Sequence, residues 1–265
     1  CEMCLRDRWK SDGTGAGTSI VKDINPEVPN NFPPGPFSSG KDAIQYSNKS
    51  VYLGANFNLP NLDTRSIIYS NNLYFNADDG VNGRELWKSD GTEAGTILIK
   101  NVATGSYADV YGQTYPSSSD PAYFYPFNGS VYFMGYDDVG NGNRGLHKTD
   151  GTTNGTVLVK SDMLTGGYNI DPYYNSIFGS VDASEKMPYA VLNNRLYFAG
   201  KETSTPVTAQ DSEIWSTDGT PEGTKQLKNL TKVASTTPVN MYAWNGSLYF
   251  TMHKYQNVRN FYYSA

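Results

Sequence analysis

Short apolar runs recur along this chain, each long enough for a strand and bounded by Gly, Asn, Asp or Ser. One set reads Ser50-Val51-Tyr52-Leu53, Asn72-Leu73-Tyr74-Phe75, Ser130-Val131-Tyr132-Phe133, Arg195-Leu196-Tyr197-Phe198 and Ser247-Leu248-Tyr249-Phe250. A companion run precedes each: Ala43–Tyr46, Ser66–Tyr69, Ala122–Pro126, Tyr189–Leu192 and Met241–Trp244. Asn71-Asn72, Asn128-Gly129, Asn193-Asn194 and Asn245-Gly246 stand at four of the junctions. Asn and Gly accept the positive φ of a two-residue hairpin turn, so each pair of runs predicts a hairpin of strands a and b.

A second hairpin is written in a longer phrase. Trp9–Thr14 and Trp87–Thr92 both read Trp-Lys-Ser-Asp-Gly-Thr, and the phrase returns altered at His147–Thr152 and Trp215–Thr220. Each copy continues into Gly-Thr and a short run ending at Lys22, Lys100, Lys160 or Lys228. The pattern predicts strands c and d joined by an Asp-Gly-Thr tip. Gly supplies backbone angles that other residues resist, and Asp bonds its own backbone two residues on, so these residues read as turn chemistry rather than catalysis.

A full unit therefore runs a, b, c, d, as from Ala122 to Asp162 and from Tyr189 to Leu230. One four-stranded meander cannot cover both of its own faces, whereas several stacked radially can. The expected fold is all-β: a β-propeller of four-stranded antiparallel meander blades, about five units with at least one incomplete. Residues 1–265 form a single β-propeller or a fragment of a longer propeller repeat array. The a–b hairpin at Ala43–Leu53 lacks a c–d partner before Ser66, and the chain opens directly on a c-like strand. Its last residues, Arg259–Ala265, echo Arg84–Asp90. Ring closure and a window cut from a longer repeat protein both account for these ends; a c strand at each end and the missing initiator Met favour the window.

Glu85-Leu86-Trp87-Lys88-Ser89-Asp90-Gly91-Thr92-Glu93-Ala94-Gly95-Thr96 resembles the ELWxxDGTxxGT repeat of large secreted and cell-surface bacterial proteins. The copies at Trp9 and Trp215 match nearly as well, while the copy at His147 has His for Trp and Gly145 for Glu. The resemblance implies a propeller-like β repeat outside the cell, extracellular or at the cell surface, often beside adhesion or enzyme modules. It carries no assigned catalytic residues.

Composition narrows the partners. Only 18% of the 265 residues are charged, while Tyr numbers 21 and Gly 26, which suits β-structure with tight turns. No apolar stretch approaches the roughly 18 residues of a membrane-spanning helix. The net charge of −5, without a basic run, argues against nucleic acid. Cys1 and Cys4 fit a local disulfide or no role: the chain's two histidines, His147 and His253, lie too far along to complete a zinc site, and no helix follows as a redox pair would need.

Candidate chemistry lies between the repeated phrases. The b–c loops read Asn76–Gly83 and Tyr136–Asn143, with paired carboxylates Asp78 and Asp79 in one and Asp137 and Asp138 in the other. Such oxygens suit calcium, although an EF-hand spacing is absent, the other units do not keep the pair, and a solvated turn is the simpler reading. The connectors Ser106–Asp120 and Met163–Met187 hold Tyr107, Tyr111 and Tyr115, and Tyr168, Tyr173 and Tyr174. Tyr pairs a flat apolar ring with a hydroxyl, which suits contact with a glycan or a surface protein, or packing between units. No Gly-x-Ser-x-Gly elbow, His-Glu-x-x-His or phosphate loop occurs. The expected function is a binding, adhesive or structural module that is part of a larger chain or assembly. The alternative is a carbohydrate-active enzyme with its catalytic residues in the variable loops.

Overall fold

The computed structural model describes residues 7–24, 66–108, 112–136, 144–165, 188–202, 212–228 and 236–254. Within them all regular structure is β-strand. A hairpin of β1 (Asp7–Lys10) and β2 (Ser19–Asp23) comes first. A four-stranded antiparallel meander follows, of β3 (Ser66–Tyr69), β4 (Asn72–Asp78), β5 (Arg84–Ser89) and β6 (Ile97–Lys100). A small hairpin pairs β7 (Ser106–Ala108) with β8 (Thr114–Pro116). The second meander holds β9 (Ala122–Phe127), β10 (Ser130–Tyr136), β11 (Arg144–Thr149) and β12 (Val157–Lys160). The third sheet contains β13 (Met163–Thr165), β14 (Tyr189–Leu192), β15 (Arg195–Glu202), β16 (Glu213–Thr217) and β17 (Lys225–Lys228). There β13 and β14 share one edge of β15, end to end. Last comes the hairpin of β18 (Thr236–Trp244) and β19 (Ser247–Lys254).

The a–b–c–d order stands in all three sheets. The a–b turns have positive φ at both central residues, Asn128-Gly129, Asn193-Asn194 and Asn245-Gly246, as a type I′ turn requires. In the first meander the turn is Ser70-Asn71 rather than Asn71-Asn72, because Asn72 already pairs with Tyr69. The b strands run further than their apolar cores suggest. Asn76, Ala77 and Asp78 belong to β4, where Asp78 pairs with Arg84, so the acidic loop is shorter than the sequence indicates. The hairpin β7–β8 and the strand β13 have no sequence counterpart among the expected elements. The hairpin at Ala43–Leu53, the Pro-rich stretch Asn25–Gly40, Cys1, Cys4 and Arg259–Ala265 lie outside the described residues.

Each Asp-Gly-Thr turn closes on itself in the same way. In one copy Asp90 Oδ1 accepts the Thr92 N–H at 2.9 Å and the Thr92 hydroxyl at 2.7 Å. Thr92 Oγ1 accepts the Gly95 N–H at 2.9 Å, and the Thr96 hydroxyl donates to the Thr92 carbonyl at 2.6 Å. The same bonds recur around Asp12, Asp150 and Asp218. For Asp90, Asp150 and Asp218 the Thr hydroxyl, then its N–H, holds the carboxyl below its ordinary value; for Asp12 the Thr14 N–H leads. One residue after the c-strand Leu or Ile, or after Arg8 in β1, the c–d pairing slips, so a bulge stands at the aromatic position of every copy.

The core lies between sheets rather than within one. Along each b strand successive side chains point to opposite faces. Tyr74, with Leu86 and Ile99, packs forward against Phe124, Val131 and Phe133 of the second meander. Phe75 and Trp87 pack backward with Ile24 after β2. The second meander repeats this, with Tyr132 and Leu146 forward against Leu196, Phe198 and Trp215. The third sends Ile214 and Tyr197 against Met241, Leu248 and Phe250 of the last hairpin. The sheets therefore stack in chain order.

Lysines fasten the stack. Lys10, Lys88 and Lys148 of the repeated phrase donate to the carbonyls of Gly91, Gly151 and Gly219, each in the next Asp-Gly-Thr turn, at 3.3, 2.7 and 2.7 Å. Lys22 and Lys100, at the ends of strands d, donate to Thr96 and Thr156 carbonyls, both at 2.9 Å. A side chain at Gly151 or Gly219 would press on the hydroxyl of Tyr74 or Tyr132 in the preceding sheet. The phrase is thus both a turn and the point where one sheet seats on another.

Candidate functional site

The connector between the first two meanders rises from a tightly bound neck. Glu85, on β5, is fully buried. Its carboxylate accepts N–H bonds from Val102, Ala103 and Ser119, each at 3.1 Å, and the Ser119 hydroxyl at 2.5 Å. It therefore holds both ends of the 102–119 segment. Burial pushes its carboxyl up to about 7, against the pull of those four donors, led by the Ser119 hydroxyl. Beside it Arg84 makes a two-pronged pair with Asp120, Nε to Oδ1 at 2.5 Å and Nη2 to Oδ2 at 3.0 Å. The Arg84 N–H donates to Ser118 Oγ at 3.0 Å, and the Asp120 N–H to the Arg84 carbonyl at 3.1 Å. Gly83 has φ +72°, and a β-carbon there would strike the Ser117 carbonyl, so only glycine lets the b–c loop approach the neck.

The hairpin β7–β8 stands on this neck. Tyr107 and Tyr115 face each other across it, ring centroids 5.6 Å apart at 31°. Tyr107 is 48% exposed. Below the rings an open cleft of about 40 Å³ is walled by Tyr107, Tyr115, Pro116, Arg84, Gly83 and Asp78. It is roomy enough for a few waters, so it suits the edge of a ligand lying across it rather than an engulfed one.

Of the tyrosines singled out by sequence, Tyr107 and Tyr115 come together. Tyr111, Tyr168, Tyr173 and Tyr174 lie outside the described residues, as do Asp137 and Asp138. Asp78 is buried at the rim, its Oδ1 accepting the Gly80 N–H at 2.7 Å. Asp79 turns into its own loop, accepting N–H bonds from Val81 and Asn82 at 2.9 and 2.7 Å and the Asn82 amide at 2.7 Å. Among the described residues no three His, Cys, Asp or Glu side chains converge as a metal would need. Arg84, Glu85 and Asp120 were not anticipated as site residues. The one signal in the sequence is the Glu of the repeated phrase, present as Glu85 and Glu213.

His147 stands at the aromatic position of its unit. It is buried, stacked on Phe133 with centroids 5.2 Å apart at 16°, and its Nδ1 lies 3.2 Å from the Gly145 carbonyl. A side chain at Gly145 would collide with Leu158 and the Lys160 carbonyl, so this unit has no room for the Glu found at 85. Among the described residues no helix is long and apolar enough to cross a membrane.

No family model and no curated protein matches the chain. Among solved structures it is similar to an alpha-L-arabinofuranosidase (CtGH43) from Clostridium thermocellum, at 15% identity over 61% of this chain and 70% of that one. The TM-score is 0.22, too low for the likeness to carry fold or activity across.

Proposed function

We propose that the stacked sheets are a β-propeller or part of one, of the ELWxxDGT-repeat kind, in a secreted or cell-surface protein. Its task is binding, with the Tyr107–Tyr115 hairpin as the contact surface and a glycan as the ligand. One observation carries the reading: two opposed tyrosines, one half exposed, stand over a cleft whose walls include Arg84, held by its pair with Asp120, and the buried Asp78. An aromatic ring packs on the apolar face of a sugar, while charged and hydroxyl groups beside it take the sugar's hydroxyls. The support from architecture is that the loop stands on a bonded neck, which presents the rings without large ordering costs. The reading needs no bound ion, since the Asp79 oxygens take loop N–H donors.

The enzyme alternative finds little to work with in this region. Among the described residues Glu85 is the carboxyl with a raised pKa, but its oxygens face the neck's donors rather than the cleft. A glycan array with the wild type and with Tyr107→Ala and Tyr115→Ala variants tests the proposal. Retention of specific glycans by the wild type and at least about tenfold weaker binding by both variants is expected. No glycan bound, or binding indifferent to both substitutions, removes the hairpin as a lectin surface and leaves a protein partner to be sought by pull-down.

A further inference from the structure

The last hairpin exposes a face that every earlier sheet covers. Tyr249 occupies the b-strand position of Tyr74 and Tyr132, and its cross-strand partner Tyr242 occupies that of Ile67 and Tyr125. Tyr74, Tyr132 and Tyr125 are buried against the following sheet, whereas Tyr249 is 50% and Tyr242 64% exposed. Trp244, on the same face, is 68% exposed and lies 5.9 Å from Tyr249. The opposite face of this hairpin is packed, through Met241, Leu248 and Phe250, on the third sheet. The exposed rings are therefore the forward side of an interface whose other side is absent among the described residues.

That other side has a known form. At both earlier forward faces where Tyr and turn are described, the Tyr hydroxyl meets the Gly of the next Asp-Gly-Thr turn, and Gly151 and Gly219 are buried there. The chain carries two further copies of this turn, and in one of them, Asp90-Gly91-Thr92, the Gly91 carbonyl already receives Lys10 of the preceding hairpin at 3.3 Å. Asp12-Gly13-Thr14, between β1 and β2, is exposed, with nothing near the position of a Gly13 β-carbon among the described residues. The free turn and the free aromatic face stand at opposite ends of the stack, with three sheets between them. We propose that they are the two halves of one interface: the Asp-Gly-Thr turn of the β1–β2 hairpin in a second copy of this chain seats on the Tyr242–Trp244–Tyr249 face of the first, head to tail. Such a contact uses different surfaces on the two partners, so it propagates or closes into a ring of copies.

Sedimentation velocity over a wide concentration range, with fluorescence of Trp244 as a second readout, tests this. The wild type is expected to associate with rising concentration. Tyr249→Asp removes the receiving face and Gly13→Asn the inserted turn; both lie at exposed sites, and Asn tolerates positive φ, so folding is checked by circular dichroism and expected to be intact. Each variant alone is expected to weaken association at least about tenfold, while an equimolar mixture regains a one-to-one dimer through the intact half of each. A wild type that is monomeric at every concentration overturns the proposal. So does a Gly13→Asn variant that associates like the wild type, because a face-to-face contact between two aromatic patches would then be the cause.

Discussion

A β-carbon at Gly95 would overlap the Asp90 carboxylate, and Gly17, Gly155 and Gly223 stand equally close to their own aspartates. The second Gly of Asp-Gly-Thr-x-x-Gly is thus fixed by the Asp, a reason invisible in propensity alone. Gly95→Ala is expected to push the carboxylate off Thr92 and lower Tm by a few degrees. Asp90→Ala breaks the same bonds, so the double variant should lose little more than either single one. Strictly additive losses in urea denaturation would count against the pairing. His147 offers a second test. Burial lowers its imidazole to about 4, from an ordinary 6.5, so the neutral ring is the folded form. Its contribution is present above pH 6.5 and is lost as pH falls toward 4, in all about 3 kcal/mol. Glu85 has the opposite slope: with a carboxyl raised from 4.5 to about 7, its contribution is present below pH 4.5 and lost as pH rises through 7. Between pH 4.5 and 6.5 the two oppose, and the turn aspartates, held low, stay ionised. His147→Phe keeps the stack on Phe133 without the titrating nitrogen. It is expected to gain stability on acidification across this window while the wild type changes little; parallel denaturation profiles for the two would refute the assignment.

Glu85 also acts at the scale of an element. Its carboxylate joins β5 to both ends of the segment that carries β7–β8, and nothing else among the described bonds reaches both Val102–Ala103 and Ser119. Glu85→Ala leaves three N–H groups and a hydroxyl without their acceptor in a buried place, at a cost on the order of 3 kcal/mol. Amide exchange in 102–119 should quicken more than in β5 itself, and glycan binding should weaken with it; an unchanged exchange rate in that segment would refute the neck. The sequence made the hairpins of the repeated units legible because Asn-Gly and Asp-Gly-Thr are local signals. It did not show β4 reaching Asp78, because that extension comes from pairing with Arg84 rather than from apolar alternation. Nor did it show β7–β8, whose strands are short and whose stability comes from the neck. Tyr107 and Tyr115 were legible as candidates, but their meeting was not. Arg84, Glu85 and Asp120 were missed since their roles depend on contacts 17 to 36 residues apart.

At the scale of the molecule, stability passes from sheet to sheet. Each of the two interfaces between the three larger sheets combines a forward Tyr, a backward Phe and aromatic or His from the next sheet, and a lysine seated on a turn carbonyl. A sheet alone would leave both apolar faces wet, so each unit depends on its neighbours, as in other stacked repeats. The second meander is covered on both sides, by Tyr74, Leu86 and Ile99 on one and by Leu196, Phe198 and Trp215 on the other. Among the described residues β18–β19 has one covered face and keeps three large rings exposed, while β1–β2 meets the first meander through Ile24, just after β2, and through Lys10 and Lys22. Opening should therefore begin at the ends, where the fewest apolar groups leave cover. Hydrogen exchange at low denaturant is expected to rank β10 and β11 slowest, β4, β5, β15 and β16 next, and the two terminal hairpins fastest. At concentrations where copies of the chain associate, the terminal hairpins alone should slow, since seating a turn on the Tyr249 face covers both ends at once. A single exchange rate shared by all the sheets would mean that the stack unfolds as one unit, and the interfaces would then be too strong to be read as separate steps.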